Sequence, residues 1–330
     1  MIASENDENG RTEFRTELAE DGGVRFGTHP PRKRKWRPVQ WMCFGIALIP
    51  ILSFLIFSGF PVAISLVSMF TEMDNNDLTS MRWVGVQNIV NVFQDERFWK
   101  SWGTTFWLAS AQVVTLLIAL VISVLLNTKK LRGSNFFQVI FFIPYICSSV
   151  AIAIMWKWIF STDLGVLNAI LGDNVNWLND YEHPYRLVWC IYITILWQAP
   201  AYGIVMFKAA LKNVNPSLYE AASIDGANGF QKFWHVTLPG IKGVTLFLLL
   251  ASIINGLAVF DSVTILAPVD WTGVAGPDDV GLTVNYYIYL MGVKNRDMEY
   301  ASVISWVLFV VTFLISFFVI RARNKATAEE

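Results

Sequence analysis

Six long stretches without Asp, Glu, Lys or Arg decide what this chain can fold into. Between Arg37 and Glu72 lie 34 such residues, and between Lys100 and Lys129 there are 28. Arg132 to Lys157 brackets 24, Arg186 to Lys208 brackets 21, Lys242 to Asp261 brackets 18 and Glu299 to Arg321 brackets 21. A bilayer core of about 30 Å needs about 20 apolar residues of helix at about 1.5 Å each. Lipid offers backbone amides no partner, so these runs are helices that close their own hydrogen bonds rather than strands. The expected fold is all-α: a polytopic membrane protein with six transmembrane helices. The window from Val280 to Val293, at 14 residues, is too short to span and reads as a re-entrant or interfacial segment. Pro50, Gly59 and Pro61 interrupt the first window, so its membrane helix is expected to end near Phe60, with Pro61 to Thr71 emerging on the far side.

The rest of the composition agrees. Apolar residues make up 54% of the 330 and charged residues only 15%, with a mean hydropathy of +0.45, whereas soluble chains carry about a quarter charged residues. A balance of 25 Lys and Arg against 26 Asp and Glu excludes a bulk-basic nucleic-acid binder. Cys43, Cys147 and Cys190 all sit in apolar runs and offer neither a disulfide framework nor a paired-cysteine metal site.

Orientation follows from the Lys and Arg bias of the short connections. With the N-terminus inside, the inner segments carry fifteen: Arg32 to Arg37, Lys129 to Arg132, Lys208, Lys212, Lys232, Lys242, Arg321, Arg323 and Lys325. The outer segments carry seven, beside fifteen acids. Both termini are therefore expected to be cytoplasmic. Trp36, Trp41, Trp99, Trp102, Trp156 and Trp158 fall near span ends, where amphipathic rings prefer to sit. Residues 1–38 read as a disordered cytoplasmic tail with a basic juxtamembrane patch rather than a secretion signal. Residues 39–322 form the permeating domain, and 323–330 a C-terminal cytoplasmic tail.

One inner loop, 208–243, is long and has helical grammar. Asn215 suits an N-cap and Pro216 the first helical position. Gly226 can take a positive φ and end that helix. A second helix is expected from about Gly229 to Leu238, stopped by Pro239. Leu218, Ala221, Ala222 and Asp225 share one side of the first helix, a small apolar face that lets a partner's backbone approach.

Glu220-Ala-Ala-Ser-Ile-Asp-Gly-Ala227, followed by Phe233 and Leu238-Pro239, resembles the EAA loop of ABC-importer permeases. Asn215-Pro216-x-x-Tyr219 resembles the carbohydrate branch of that family. So do Leu131-Arg132-Gly133 leading to Phe142-x-Pro144-Tyr145, and Trp156-x-Trp158 leading to Gly165-x-Leu167-Asn168. The similarity to the maltose and glycerol-3-phosphate permease group runs over roughly residues 40–322. Gly243 departs from it, since many relatives have a second proline there.

The resemblance implies a type I permease fold whose helix hairpin docks on a separate cytoplasmic ATPase, with Glu220, Ala221, Ala222, Asp225, Gly226 and Pro239 at the contact. It implies half of a pathway, paired with a second permease, two ATPase subunits and an external binding protein that docks near Asn75–Trp99 and Asp173–Tyr185. It places the assembly in the bacterial inner membrane, with sugars or oligosaccharides as cargo.

Polar groups inside lipid face a cavity or another helix. That makes Asn255, Ser148, Ser149, Asn285 and Tyr286 candidate cargo contacts, although the two serines also suit close helix packing. Asp261, about 28 Å up the fifth helix from Lys242, reads as a solvated acid at the outer headgroups. No catalytic residues and no metal site are expected. His29, His183 and His235 are isolated, and no phosphate-binding Gly-x-x-x-x-Gly-Lys-Ser/Thr loop occurs, so ATP and Mg belong to the ATPase and this chain carries no cofactor. A permease for a polyol phosphate, polyamine or amino acid is the alternative within the class. A self-sufficient secondary carrier would need intramembrane ionisable groups or inverted repeats, and neither is legible.

Overall fold

A computed structural model describes residues 16–18, 24–26, 38–74, 77–127, 133–267 and 275–328. The basic residues Arg32 to Arg37 and Lys129 to Arg132, and most of the expected N-terminal tail, lie outside the described residues. The chain divides into two compact units, 1–61 and 62–330.

In the first unit, β1 (Thr16–Leu18) and β2 (Val24–Phe26) pair antiparallel, and α1 (Pro38–Phe54) follows. A π-turn, Leu55–Gly59, leads into α2 (Phe60–Ser68). This first apolar helix therefore runs Trp41–Ser68 and does not end near Phe60 as expected. In the π-turn the Phe60 N–H reaches back five residues to the Leu55 carbonyl. Pro61 follows this turn within the helix, which continues past a residue that lacks a donor.

The second unit continues with β3 (Thr71–Glu72) and β4 (Arg82–Trp83), which pair antiparallel, and with α3 (Gln87–Gln94). The long α4 (Glu96–Leu126) is the spine. Then come α5 (Ser134–Ile146), α6 (Ser149–Ile159), α7 (Val166–Leu171), α8 (Tyr185–Gln198) and α9 (Pro200–Asn213). The hairpin segment holds α10 (Pro216–Ile224), α11 (Gly229–Lys232) and α12 (Leu238–Gly240). The chain closes with α13 (Lys242–Leu257), α14 (Asp261–Leu266), α15 (Val284–Tyr289) and α16 (Met298–Ala328). α16 thus carries helix through most of the segment expected as a C-terminal tail.

Among the described residues, five helices are long and apolar enough to cross a bilayer. The third expected span is not a straight helix: α5 and α6 meet at an angle of 96°. Counted as one crossing, this pair makes six. The fifth crossing is also interrupted, between α13 and α14, where Phe260 leaves helical geometry at φ −139° and ψ −57°. The Val280–Val293 segment is neither a span nor a surface helix. It forms α15 and a π-turn (Leu290–Lys294), with Tyr286, Tyr287 and Leu290 fully enclosed.

Two buried clusters are stacked along α4. One gathers Phe98, Trp102, Leu108, Ile191, Leu257 and Val263 with the α15 tyrosines. The other gathers Leu116, Leu126, Phe207, Val214, Ile241 and Leu248 toward the hairpin end. α13 packs on α4 at unusually short range, because a side chain at Gly256 would come within 2.8 Å of the Ala109 Cα. Small residues allow such an approach where lipid supplies no hydrophobic drive.

A polar knot fastens the end remote from the hairpin. Asp95 caps α4 by accepting from the Arg97 N–H at 2.9 Å and also accepts from the phenols of Tyr287 and, at 2.5 Å, Tyr300. Burial, then donation to Asp95, pushes the Tyr287 phenol well above its ordinary value, so it stays protonated and keeps donating. Arg97 lies over the Tyr287 ring at 5.5 Å and pairs with Asp279 at 2.7 Å.

Gly256→Val is expected to cost about 1–3 kcal/mol through overpacking, read as a lower thermal midpoint of the detergent-purified chain. Gly243→Ala, whose new Cβ would meet nothing within 4 Å, should leave that midpoint unchanged.

Candidate functional site

The hairpin forms where its residue types require it to. The Asn215 side chain accepts from the Ser217 N–H at 3.0 Å, and Pro216 opens α10. Gly226 ends it at φ +79°. The Ala227 N–H reaches the Ala222 carbonyl at 2.9 Å and the Gly226 N–H the Ser223 carbonyl at 3.2 Å, the paired closure of a Schellman turn. A reciprocal capping box between Asn228 and Gln231 starts α11. The second arm does not stop at Leu238 as expected. A π-turn, Phe233–Thr237, precedes Leu238-Pro239, and the helix continues to Gly240 by the device used ahead of Pro61. The arms are tied by the Tyr219 and Thr237 hydroxyls at 3.0 Å and by Lys232 donating to Ser223 at 2.8 Å.

Glu220, Ala221, Asp225, Gly226 and Pro239 are exposed on this hairpin, and Ala222 is half-buried. Large apolar side chains accompany them: Ile224 is 87% and Phe230 71% exposed. Spacing alone did not single out these two. The hairpin begins later than expected, because Lys208 is buried inside α9. Its ammonium donates to Gln138 at 2.6 Å and Ser134 at 3.0 Å on α5, so the charge is satisfied within the helix bundle.

Between the two buried clusters lies a cavity of about 700 Å³, walled by α4, α5, α6, α8, α9, α13 and the start of α14. Asn255 and Ser149 line it. Ser148, Asn285 and Tyr286 do not. Ser148 is exposed at the break between α5 and α6, Asn285 is half-buried on α15, and Tyr286 is enclosed against Phe260 and Tyr289.

The reading of Asp261 as a solvated headgroup acid is corrected. It sits in the cavity wall, and its carboxylate accepts from the Ser149 hydroxyl. Helix rise gave its distance from Lys242 but not the face its side chain takes, which here is the cavity wall beside Ser149. Gln112, Gln198, Ser252 and the stacked pair Tyr145 and Tyr202 (ring centroids 5.8 Å, 22°) complete the polar wall. The amides were legible as polar residues inside charge-free windows, but which face they occupy was not.

Such a wall offers amides that both donate and accept, hydroxyls, one carboxylate and flat aromatic faces. It contains no histidine, cysteine or cation, and the described residues contain no group of three or more potential metal ligands.

Comparison with known proteins agrees with this geometry. Residues 119–326 match the family model of the binding-protein-dependent transport system inner membrane component. The probable ABC transporter permease YesP of Bacillus subtilis is 34% identical over 83% of this chain and 87% of its own length. The lactose transport system permease LacF of Rhizobium radiobacter is 32% identical over 86% of this chain and 94% of its own. Among solved structures, a bacterial alginate ABC transporter, in complex with an alginate pentasaccharide-bound periplasmic protein, superposes with a TM-score of 0.75 at 23% identity. That match covers 88% of this chain and 96% of its counterpart. This chain belongs to the family of binding-protein-dependent transport system inner membrane components, the permeases of ABC importers, and has their type I fold.

Proposed function

We propose that the chain conducts a sugar or oligosaccharide through the cavity around Asn255, and that the hairpin couples this passage to a separate ATPase. One observation carries the reading: a cavity of amides, hydroxyls and stacked tyrosines lies midway along α4, with a rigid hairpin at one end of the same bundle. By helix rise, Asn255 is about 20 Å from Lys242 and Gln112 about 21 Å from Leu126, which places both deep in the bilayer. Sugar rings stack their apolar faces on tyrosines and exchange hydrogen bonds with groups that donate and accept. Relatives named for lactose and for arabinooligosaccharides support a carbohydrate cargo.

In this reading the assembly contains a second permease, two ATPase subunits that hold ATP and Mg, and an external binding protein. It sits in a bacterial inner membrane with both termini cytoplasmic and the hairpin facing the ATPase. Glu220, Ala221, Ala222, Asp225, Gly226 and Pro239 form the contact, helped by the exposed Ile224 and Phe230. The hairpin base is the lever. Val214 and Ile241 belong to the same buried cluster as Leu116, Ala119 and Leu248, and the last three also wall the cavity. A push on the hairpin therefore reaches the cavity through continuous packing.

The test is uptake into proteoliposomes holding the complete importer. Gly226→Asp puts a residue that tolerates positive φ better than most at φ +79°, so the fold is kept, and adds charge to the contact. Membrane insertion is expected to be normal, with uptake lost and ATPase activity no longer stimulated by loaded binding protein. Normal uptake would remove the coupling role. Asn255→Ala should leave assembly intact and slow uptake about tenfold, as expected for about 1.4 kcal/mol of lost hydrogen bonding. An unchanged rate would move the cargo path away from Asn255.

A further inference from the structure

A second cavity, of about 650 Å³, lies apart from the pathway, between the starts of α4 and α8. Lys100, Gly103 and Trp107 of α4 face Tyr185, Val188 and Trp189 of α8 across it. Its volume is that of a small-molecule site, and its wall is mostly apolar carbon with one charged side chain, Lys100.

Depth identifies the environment. Trp107 lies nineteen residues before Leu126, about 28 Å along α4, at the edge of a hydrocarbon core of about 30 Å. Lys100 is about 10 Å farther out, among the headgroups of the leaflet opposite the hairpin. Trp107 and Trp189 meet edge-on at 5.4 Å. They stay about half exposed, and Tyr185 is 71% exposed above them. This is the position that amphipathic aromatic rings take at a membrane interface. The Lys100 ammonium donates to the Asp278 carbonyl, which holds it at the rim and leaves two of its three donors for a ligand. The cation at the rim and the aromatic and apolar wall inward of it match the phosphate and the ester end of the acyl chains of a phospholipid.

We propose that this groove binds one anionic phospholipid of the leaflet opposite the hairpin, with its phosphate on Lys100 and an acyl chain against Trp107, Val188 and Trp189. Charge complementarity selects the anionic headgroup, because among the described residues Lys100 is the only charged side chain in the wall. The proposal does not depend on the cargo.

Gly103 supplies the test. A Cβ built there meets nothing within 4 Å, so Gly103→Leu starts its side chain into the groove without meeting backbone and improves helix propensity. The complete importer is purified, stripped of lipid, and exposed to phosphatidylglycerol or phosphatidylcholine, and bound lipid is counted by native mass spectrometry. One phosphatidylglycerol per copy of this chain is expected, preferred at least fivefold over phosphatidylcholine. Gly103→Leu should lower retention at least tenfold with an unchanged thermal midpoint, and Lys100→Gln should erase the headgroup preference while keeping a lipid. Equal retention in Gly103→Leu, or no preference in the wild type, overturns the proposal. So does a photoreactive residue at position 188 that captures the second permease rather than lipid, because the groove would then be a subunit interface.

Discussion

Lipid gives a polar group no partner, so every break in a membrane helix has to be satisfied by protein or face a cavity. Here the third and fifth crossings are both broken, at Cys147–Ser148 and at Ala258–Phe260. The two breaks meet. Ser149, at the start of α6, donates to Asp261, at the start of α14, on the wall of the central cavity. A carboxylate stays within the apolar part of the fold because it has a hydroxyl partner and a polar cavity beside it. The unbroken α4 supports both interrupted crossings, with its polar residues Gln112 and Thr115 placed between two buried clusters.

A different backbone device keeps the hairpin's shape. Two X-Pro steps, Phe60-Pro61 and Leu238-Pro239, would normally end a helix, and each is preceded by a π-turn that lets the helix pass. In the hairpin this produces a second arm that continues without a loop almost to α13, interrupted only at Ile241. A stiff arm transmits displacement, whereas a flexible loop would absorb it.

Much of the architecture was legible in the sequence because charge is expensive in lipid and its absence can be counted. The windows located the crossings, and Asn215, Pro216 and Gly226 fixed the first arm of the hairpin through backbone requirements of single residues. What escaped was nonlocal. Pro61 and Pro239 read as stops because nothing in the sequence announces a π-turn. Lys208 read as a loop residue because its partners Ser134 and Gln138 lie about seventy positions away in the chain. Asp261 read as a solvated acid because helix rise does not say which face a side chain takes, and its partner Ser149 lies 112 positions away in the chain. Asn285 and Tyr286 had suitable chemistry on a segment that the fold assigns to the core.

The central claim is that a push on the hairpin reaches the cavity through Val214, Ile241 and Leu248, and its first requirement is that an ATPase sits on the hairpin. The most direct measurement places a photoreactive residue at position 224, the most exposed large apolar site of α10, in the complete reconstituted importer. Cross-linking to the nucleotide-binding subunit, with a yield that changes when ATP is added, is the predicted result. Transport that continues while position 224 captures only lipid or solvent would contradict the account.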